Sequence, residues 1–294
     1  MIKETPILIE ETLFEFAHQK GILIGICDAE RLTLDYETGD VPFATGDIDM
    51  RTNPKLFFES AESIIVFAVP YETSEYKQST NDKLYGKLAI GTSGIDYHIR
   101  LKHILLECVE LIREITPINY KLHIDTGPLI EREFAKKAGL GFIGKNSMLI
   151  NSTQGSYFNI GVLLVDIPLN STPIYCGDTC GDCTLCEKAC VGGAINQGKF
   201  DYKRCVSYLT QKKEELSKDE NLHGFIYGCD ICQKVCPFNK FKDLSNDMIQ
   251  IDEFLGLSNR QFQDLYGKTS IAWRGKKVLQ RNAEVIKNAK YKRA

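Results

Sequence analysis

No apolar run in this chain of 294 residues is long enough to cross a bilayer. The longest, such as Ile64 to Val69 and Val162 to Val165, fall far short of the roughly 20 residues that a membrane helix needs. The N-terminus, MIKETPILIEETLFEF, lacks a basic region followed by an apolar core. Export is therefore not expected, and the cytoplasm is. Low-complexity linkers are also missing. A formal net charge of −3, with 43% hydrophobic and 26% charged residues, excludes disordered, collagen-like and small disulfide-scaffold classes. What is plentiful is cysteine, with 11 residues. In a reducing cytosol so many thiols serve metal or redox chemistry rather than disulfides.

Cys27 and Cys108 stand alone, whereas the other nine cysteines lie within the 61 residues from Cys176 to Cys236. A domain boundary is expected near residues 168 to 176. Before it, ESIIVFAVPY and YFNIGVLLVDIP read as buried strands, because short apolar runs rich in Val and Ile suit a sheet covered on both faces. ILIGICDA offers another. In DYHIRLKHILLECVELIREI, Ile104, Cys108, Leu111 and Ile115 recur at helical spacing, and residues 9–20 and 129–138 also read as helices. The expected fold class is α+β or α/β. From Ser258 to Ala294 there are ten Lys or Arg against Asp264 and Glu284, a charge of +8 on a body of −11. That basic tail reads either as a solvated helix face or as a polyanion-binding surface.

Cys180, Cys183, Cys186 and Cys190 form C-x2-C-x2-C-x3-C. Such spacing lets successive thiolates converge on one inorganic cluster, with the fourth serving a second cluster in ferredoxin-type pairs. Cys229, Cys232 and Cys236, followed by Pro237, repeat the motif with one ligand missing, and Cys205 can supply it. The crossing rule then assigns Cys180, Cys183, Cys186 and Cys236 to one 4Fe-4S cluster, and Cys190, Cys205, Cys229 and Cys232 to the other. Zinc is the competing reading, but structural zinc sites pair two short units and three cysteines within seven residues suit them poorly. Val191 stands where the bacterial motif has proline. Cys27, Cys108 and Cys176 are read as small buried hydrophobes.

The run DTGPLIEREFAKKAGLGFIGKNS, Asp125 to Ser147, nearly matches three known patterns. Gly139, Gly141 and Gly144 satisfy G-x-G-x-x-G but follow a helix, where a dinucleotide fingerprint follows a strand. The phosphate-loop pattern fails at Asn146, which has no hydroxyl for magnesium. Asp125-Thr126-Gly127 occurs once, and an aspartic protease needs two such carboxylates. Without further context the run reads as a turn, a helix and a glycine cap.

Together these segments resemble the epoxyqueuosine reductase family. The residues that carry the resemblance are Arg51-Thr-Asn-Pro54, Asp96-Tyr97-His98, Asp125 to Ser147, Gly155-Ser156-Tyr157, the eight cluster cysteines, Arg204 to Thr210, and WRGKKVLQRN from Trp273 to Asn282. The resemblance implies a cobalamin-binding α/β core similar to that of reductive dehalogenases (1–170), a ferredoxin-like domain with two 4Fe-4S clusters (171–245), and a basic C-terminal helix (246–294). It implies reduction of epoxyqueuosine at the wobble position of transfer RNA, with electrons from an external one-electron donor such as a flavodoxin or ferredoxin. Asp125 matches the proton donor and Arg132 the arginine beside the substrate. Arg51, Lys145, Asn146 and Ser207 lie in motifs that resemble cobalamin-contacting segments, as does Asp125. Many members of the family continue into C-terminal helical repeats, and the sequence to Ala294 is expected to be a short form without them. A cobalamin enzyme acting on a smaller substrate and a two-cluster electron carrier are the other readings, and uptake of cobalamin separates the second from an enzyme.

Overall fold

The structure, a computed structural model, describes residues 4–36, 43–72, 83–240 and 244–291. Its contacts form two compact units, Met1–Pro70 with His98–Gly181, and Tyr71–Tyr97 with Asp182–Ala294. In the first unit α1 (Glu4–Lys20) leads into β1 (Leu23–Asp28), and the short helices α2 (Ile48–Thr52) and α3 (Pro54–Phe57) precede β2 (Ser63–Pro70). The chain then gives β3 (Tyr85–Leu88) to the second unit. It returns as α4 (Tyr97–Ile115), β4 (Tyr120–His123), α5 (Glu131–Lys137), the hairpin β5 (Phe142–Ile143) with β6 (Leu149–Ile150), and β7 (Phe158–Val165).

The sheet runs β1-β2-β7-β4, antiparallel throughout, with Val66 opposite Val162. The two apolar runs that announce strands are its central pair, which explains why they lack the alternation of a half-exposed strand. Successive residues of β7 face opposite sides. Val162 and Leu164 share a cluster with Phe134, Ala135 and Ala138 of α5. Gly161 meets Leu101 and Leu105 of α4 on the other side. Helices on both faces give a three-layer α+β unit. The buried stripe of α4 is Leu101, Ile104, Leu105, Cys108, Val109 and Ile112, so Leu111 and Ile115 sit at its edge.

Glycine lets α5 approach the sheet and then stop. A Cβ at Gly25 would lie 2.1 Å from the Ala138 carbonyl oxygen. After α5 the Gly139 N–H donates to Lys136 O (3.1 Å) and the Leu140 N–H to Ala135 O (3.0 Å), with Gly139 at φ +75°. This is a Schellman cap, the local reason for glycine there.

The second unit contains α6 (Leu185–Ala189), the hairpin β8 (Ile195–Asn196) with β9 (Lys199–Phe200), α7 (Val206–Gln211), β10 (Phe225–Tyr227), α8 (Ile231–Lys234), β11 (Met248–Gln250), α9 (Ile251–Leu255), α10 (Asn259–Tyr266) and α11 (Lys276–Tyr291). β3 lies between β10 and β11, parallel to the first and antiparallel to the second. Leu88, Ile226, Phe254, Phe262, Ile271 and Leu279 form its core. The contact units are cut differently from the expected segments 1–170, 171–245 and 246–294: β3 is a strand of the second sheet, and β11, α9, α10 and α11 pack together in the second unit. Among the described residues no helix is long and apolar enough to cross a membrane.

Candidate active site

In the first unit, the motif Arg51 to Pro54 is a junction of two helices. Thr52 Oγ1 donates to Ile48 O (2.7 Å), Asn53 caps α3 by accepting from the Lys55 N–H (3.1 Å), and Pro54 takes the first helical position. Arg51 O accepts the Ile130 N–H (3.2 Å), which ties this junction to the loop carrying Asp125. The Arg132 guanidinium donates to Ser147 O (3.3 Å), so it reaches the β5–β6 loop that holds Lys145 and Asn146. Asn146 is 2% exposed, and Lys145 donates to Gly181 O (2.8 Å).

Burial, and then the neighbouring Arg132 guanidinium, hold Arg51 below the usual guanidinium value. The Nε–H groups of Arg51 and Arg132 are both buried without an acceptor among the described residues. Glu131 and the Tyr36 phenol act electrostatically on Arg51. Tyr36 donates to Glu133 Oε1 (3.0 Å), and burial followed by the Glu133 charge pushes its phenol up. Two clustered guanidinium groups with unmet buried donors suit a ligand rich in oxygen acceptors, as a phosphate- and amide-bearing corrinoid is.

Asp125 is the centre of a three-residue turn. The Thr126 N–H donates to Ile124 O (2.6 Å), and Asp125 has φ +51°, a conformation rare outside glycine. Held backbone strain of this kind concentrates at functional sites. The side chain is 59% exposed, and His98 Nε2 is 3.9 Å from its Oδ2. Beneath the turn, His123 is fully buried with Nε2 3.0 Å from Glu131 Oε1 and its ring edge-on to Phe57. The sequence reading assigned no role to His98, His123, Glu131 or Tyr36. His98 had a signal in Asp96-Tyr97-His98, and Glu131 lies within the Asp125 run, whereas nothing local marks Tyr36.

The cysteines from Cys183 to Cys236 belong to the second unit, and Cys180 precedes the division at Gly181 by one residue. Thr184 and Asp230 each precede a short helix carrying the second cysteine of a C-x2-C pair, and their backbones match at φ −125°, ψ 16° and φ −126°, ψ 16°. Cys205 and Cys236 match likewise, at φ −72°, ψ 124° and φ −70°, ψ 126°, each opening a helical turn. The turns opening at Thr184 and Asp230 are thus built alike, as expected of two halves of one repeat that holds a pair of clusters. Backbone N–H groups are aimed at sulfur: Ala194 at Cys190 Sγ (3.2 Å), Tyr208 and Ser207 at Cys205, and Ile231 at Cys229.

Burial pushes the Cys229 thiol up to about 12. Cys232 is raised too, by burial and then by Cys229, Cys205, Cys190 and Cys186 around it. Thiolates so gathered need a cationic core. Ser207 belongs to this unit, where its hydroxyl accepts from Gln211 Nε2 (3.1 Å). Cys27 and Cys108 are buried as expected, but Cys176 is exposed, because the segment 170–180 carries no helix or strand to cover it.

The profile described as "Epoxyqueuosine reductase QueG, DUF1730" matches residues 51–126, from Arg51 to just past Asp125. The "4Fe-4S double cluster binding domain" profile matches 179–239, which takes in all eight assigned cysteines and leaves out Cys176. An epoxyqueuosine reductase of Listeria monocytogenes is 37% identical over 97% of this chain and 81% of its own. One from Bacillus subtilis is 35% identical over 94% and 78%. The chain belongs to the epoxyqueuosine reductase family. A solved epoxyqueuosine reductase holding an epoxyqueuosine-modified stem loop of tyrosine transfer RNA superposes with a TM-score of 0.85, at 33% identity over 95% of this chain and 81% of that one. Membership in the epoxyqueuosine reductase family makes the chain an oxidoreductase, and the match at 179–239 gives it a domain for two 4Fe-4S clusters.

Proposed function

We propose that this chain reduces epoxyqueuosine to queuosine at the wobble position of transfer RNA, with cobalamin and two 4Fe-4S clusters. The observation that carries the reading is the likeness to epoxyqueuosine reductases over 94–97% of the chain, together with a double-cluster cysteine domain at 179–239. Reduction of the epoxide balances as two electrons and two protons added, one oxygen leaving as water and a carbon–carbon double bond formed. Cobalamin, when bound, supplies the electron-rich metal chemistry that opens the strained C–O bond. Arg51, Lys145 and Asn146 of the first unit are proposed to hold it, and for Arg51 the unmet Nε–H supports that role.

Opening a C–O bond reductively leaves an alkoxide, which departs only once protonated. Asp125 is the proposed proton donor at that oxygen, and Arg132 positions and neutralises it. The Asp125 carboxyl is open to solvent in its own unit, so its desolvation has to come with substrate and cofactor. Cys180, Cys183, Cys186 and Cys236, and Cys190, Cys205, Cys229 and Cys232, are the proposed ligand sets. A one-electron donor such as a flavodoxin or ferredoxin is the proposed electron source, and the need to keep these thiols reduced supports a cytoplasmic reaction.

The test is anaerobic purification with cobalamin followed by assay on transfer RNA carrying epoxyqueuosine. Asp125→Asn is expected to keep iron and cobalamin while losing at least about 100-fold in turnover, the scale of a lost general acid. Near-normal turnover by that variant would overturn the proton-donor role, and no cobalamin uptake by the parent protein would overturn the enzyme reading in favour of an electron carrier.

A further inference from the structure

The basic tail does not present its charges evenly. Arg281 donates to Lys212 O (2.9 Å) and Leu209 O (3.1 Å), Lys276 to Leu257 O (2.8 Å), and Lys287 pairs with Asp252 at 2.8 Å. These cations serve the fold. The segment before α11 differs. Trp273 is 45% exposed although its Nε1–H donates to the buried Tyr227 hydroxyl (2.7 Å). Tyr227 in turn donates to Ser270 O (3.2 Å). The indole is therefore anchored through its nitrogen while nearly half of the residue stays open to solvent.

Arg274 Cζ lies 3.7 Å from the Trp273 ring centroid. The same guanidinium acts electrostatically on the Tyr208 phenol. Tyr208 meets Tyr202 edge-on at 5.0 Å, and Lys203 stands 5.9 Å from the Tyr202 ring centroid. Two aromatic–cation pairs, Trp273 with Arg274 and Tyr202 with Lys203, thus lie in the second unit, the first between exposed Lys268 and Lys277 in sequence. An anchored indole stacked on a planar guanidinium is a platform for another planar π system, and the adjacent cations match a chain of phosphates.

We propose that Trp273, Arg274, Tyr208, Tyr202 and Lys203 form a stacking strip for unpaired loop nucleotides of the RNA substrate. The proposal rests on the reading of the substrate as transfer RNA. It gives the exposed Trp273 and the half-buried Arg274 of WRGKKVLQRN a recognition role distinct from that of Arg281 and Asn282, which tie elements of the second unit together.

Trp273 is the only tryptophan in the chain, so its emission reports on the strip alone. The probe is an unmodified anticodon stem–loop RNA added to protein loaded with iron, sulfide and cobalamin, which separates binding from turnover. Saturable quenching of Trp273 is expected. Trp273→Ala is expected to weaken RNA binding, followed by anisotropy of labelled RNA, about tenfold, and Trp273→Phe, which keeps an aromatic face, less than about threefold. Arg274→Ala is expected to lower the slope of log affinity against log salt by about one. Iron and cobalamin contents stay at parent levels, and turnover on modified transfer RNA shows a raised KM with kcat retained.

Parent-like RNA affinity in both Trp273→Ala and Arg274→Ala overturns the strip and leaves the reaction untouched. Loss of cobalamin in these variants also overturns it, because the surface would then be a cofactor contact. Parent protein that binds no stem–loop at low salt overturns the strip together with the RNA reading.

Discussion

Gly127 lies against His123 so closely that a Cβ there would stand 2.1 Å from His123 Nδ1. His123 has nowhere to go, since its side chain is fully buried against Phe57 and Glu131. The turn that carries Asp125 is thereby seated on an imidazole. Gly127→Ala is expected to lift that turn and cost about 100-fold in turnover, as ångström-scale misplacement of a catalytic group does. Iron and cobalamin contents should match the parent, and kcat on modified transfer RNA is the measurement.

Asn282 Nδ2 donates to Thr210 O (2.7 Å) and Ile226 O (2.8 Å), both buried. Asn282→Ala strands two carbonyls and should destabilise the second unit by about 3 kcal/mol. Asn282→Asp should be at least as damaging, because a carboxylate cannot donate. Loss of cluster absorbance against denaturant concentration reads the change. A shift under about 0.5 kcal/mol, the scale of an ordinary surface change, would show that α11 is not held by this residue.

Cysteine reactivity should separate the three thiols outside the cluster sets. Burial raises Cys27 and Cys108 to about 12. At pH 8 a thiol of that pKa is thiolate only about once in ten thousand. Brief iodoacetamide treatment of the cluster-loaded protein should therefore label Cys176 and spare Cys27 and Cys108, as peptide mapping would show. The fold favours the neutral form of both buried thiols. Their contribution is complete below the unfolded value near 9, and falls away as pH rises from there toward about 12.

Cys205 lies well apart in sequence from the C-x2-C pairs, and its thiol is raised by burial. Cys205→Ser is expected to leave about four irons per chain in place of about eight, since each cluster holds four. Cys176→Ser should leave iron unchanged. Eight irons retained in the Cys205 variant would remove it from the ligand set.

The parts of the fold legible in the sequence are those specified locally. β2 and β7 are continuous apolar runs, α4 is a helical stripe, and the Gly139 cap follows from the end of α5. The cysteine repeat is likewise legible, because ligand convergence across two-residue gaps is settled within one turn of backbone. The basic tail was less so, because charge counts do not tell a cation that caps carbonyls, such as Arg281, from one left on the surface, such as Lys277.

By itself, then, the sequence determined that this protein carries a two-cluster cysteine repeat after a mixed α+β core, since spacing and periodicity are properties of neighbouring residues. Only the tertiary structure decided that Cys176 is exposed while Cys27 and Cys108 are buried, and that β3 joins the second sheet. It alone seats Gly127 on His123 and leaves Trp273 facing solvent. Each of these depends on packing or pairing between segments distant in sequence, and no pattern within a single segment encodes which distant surface it will meet.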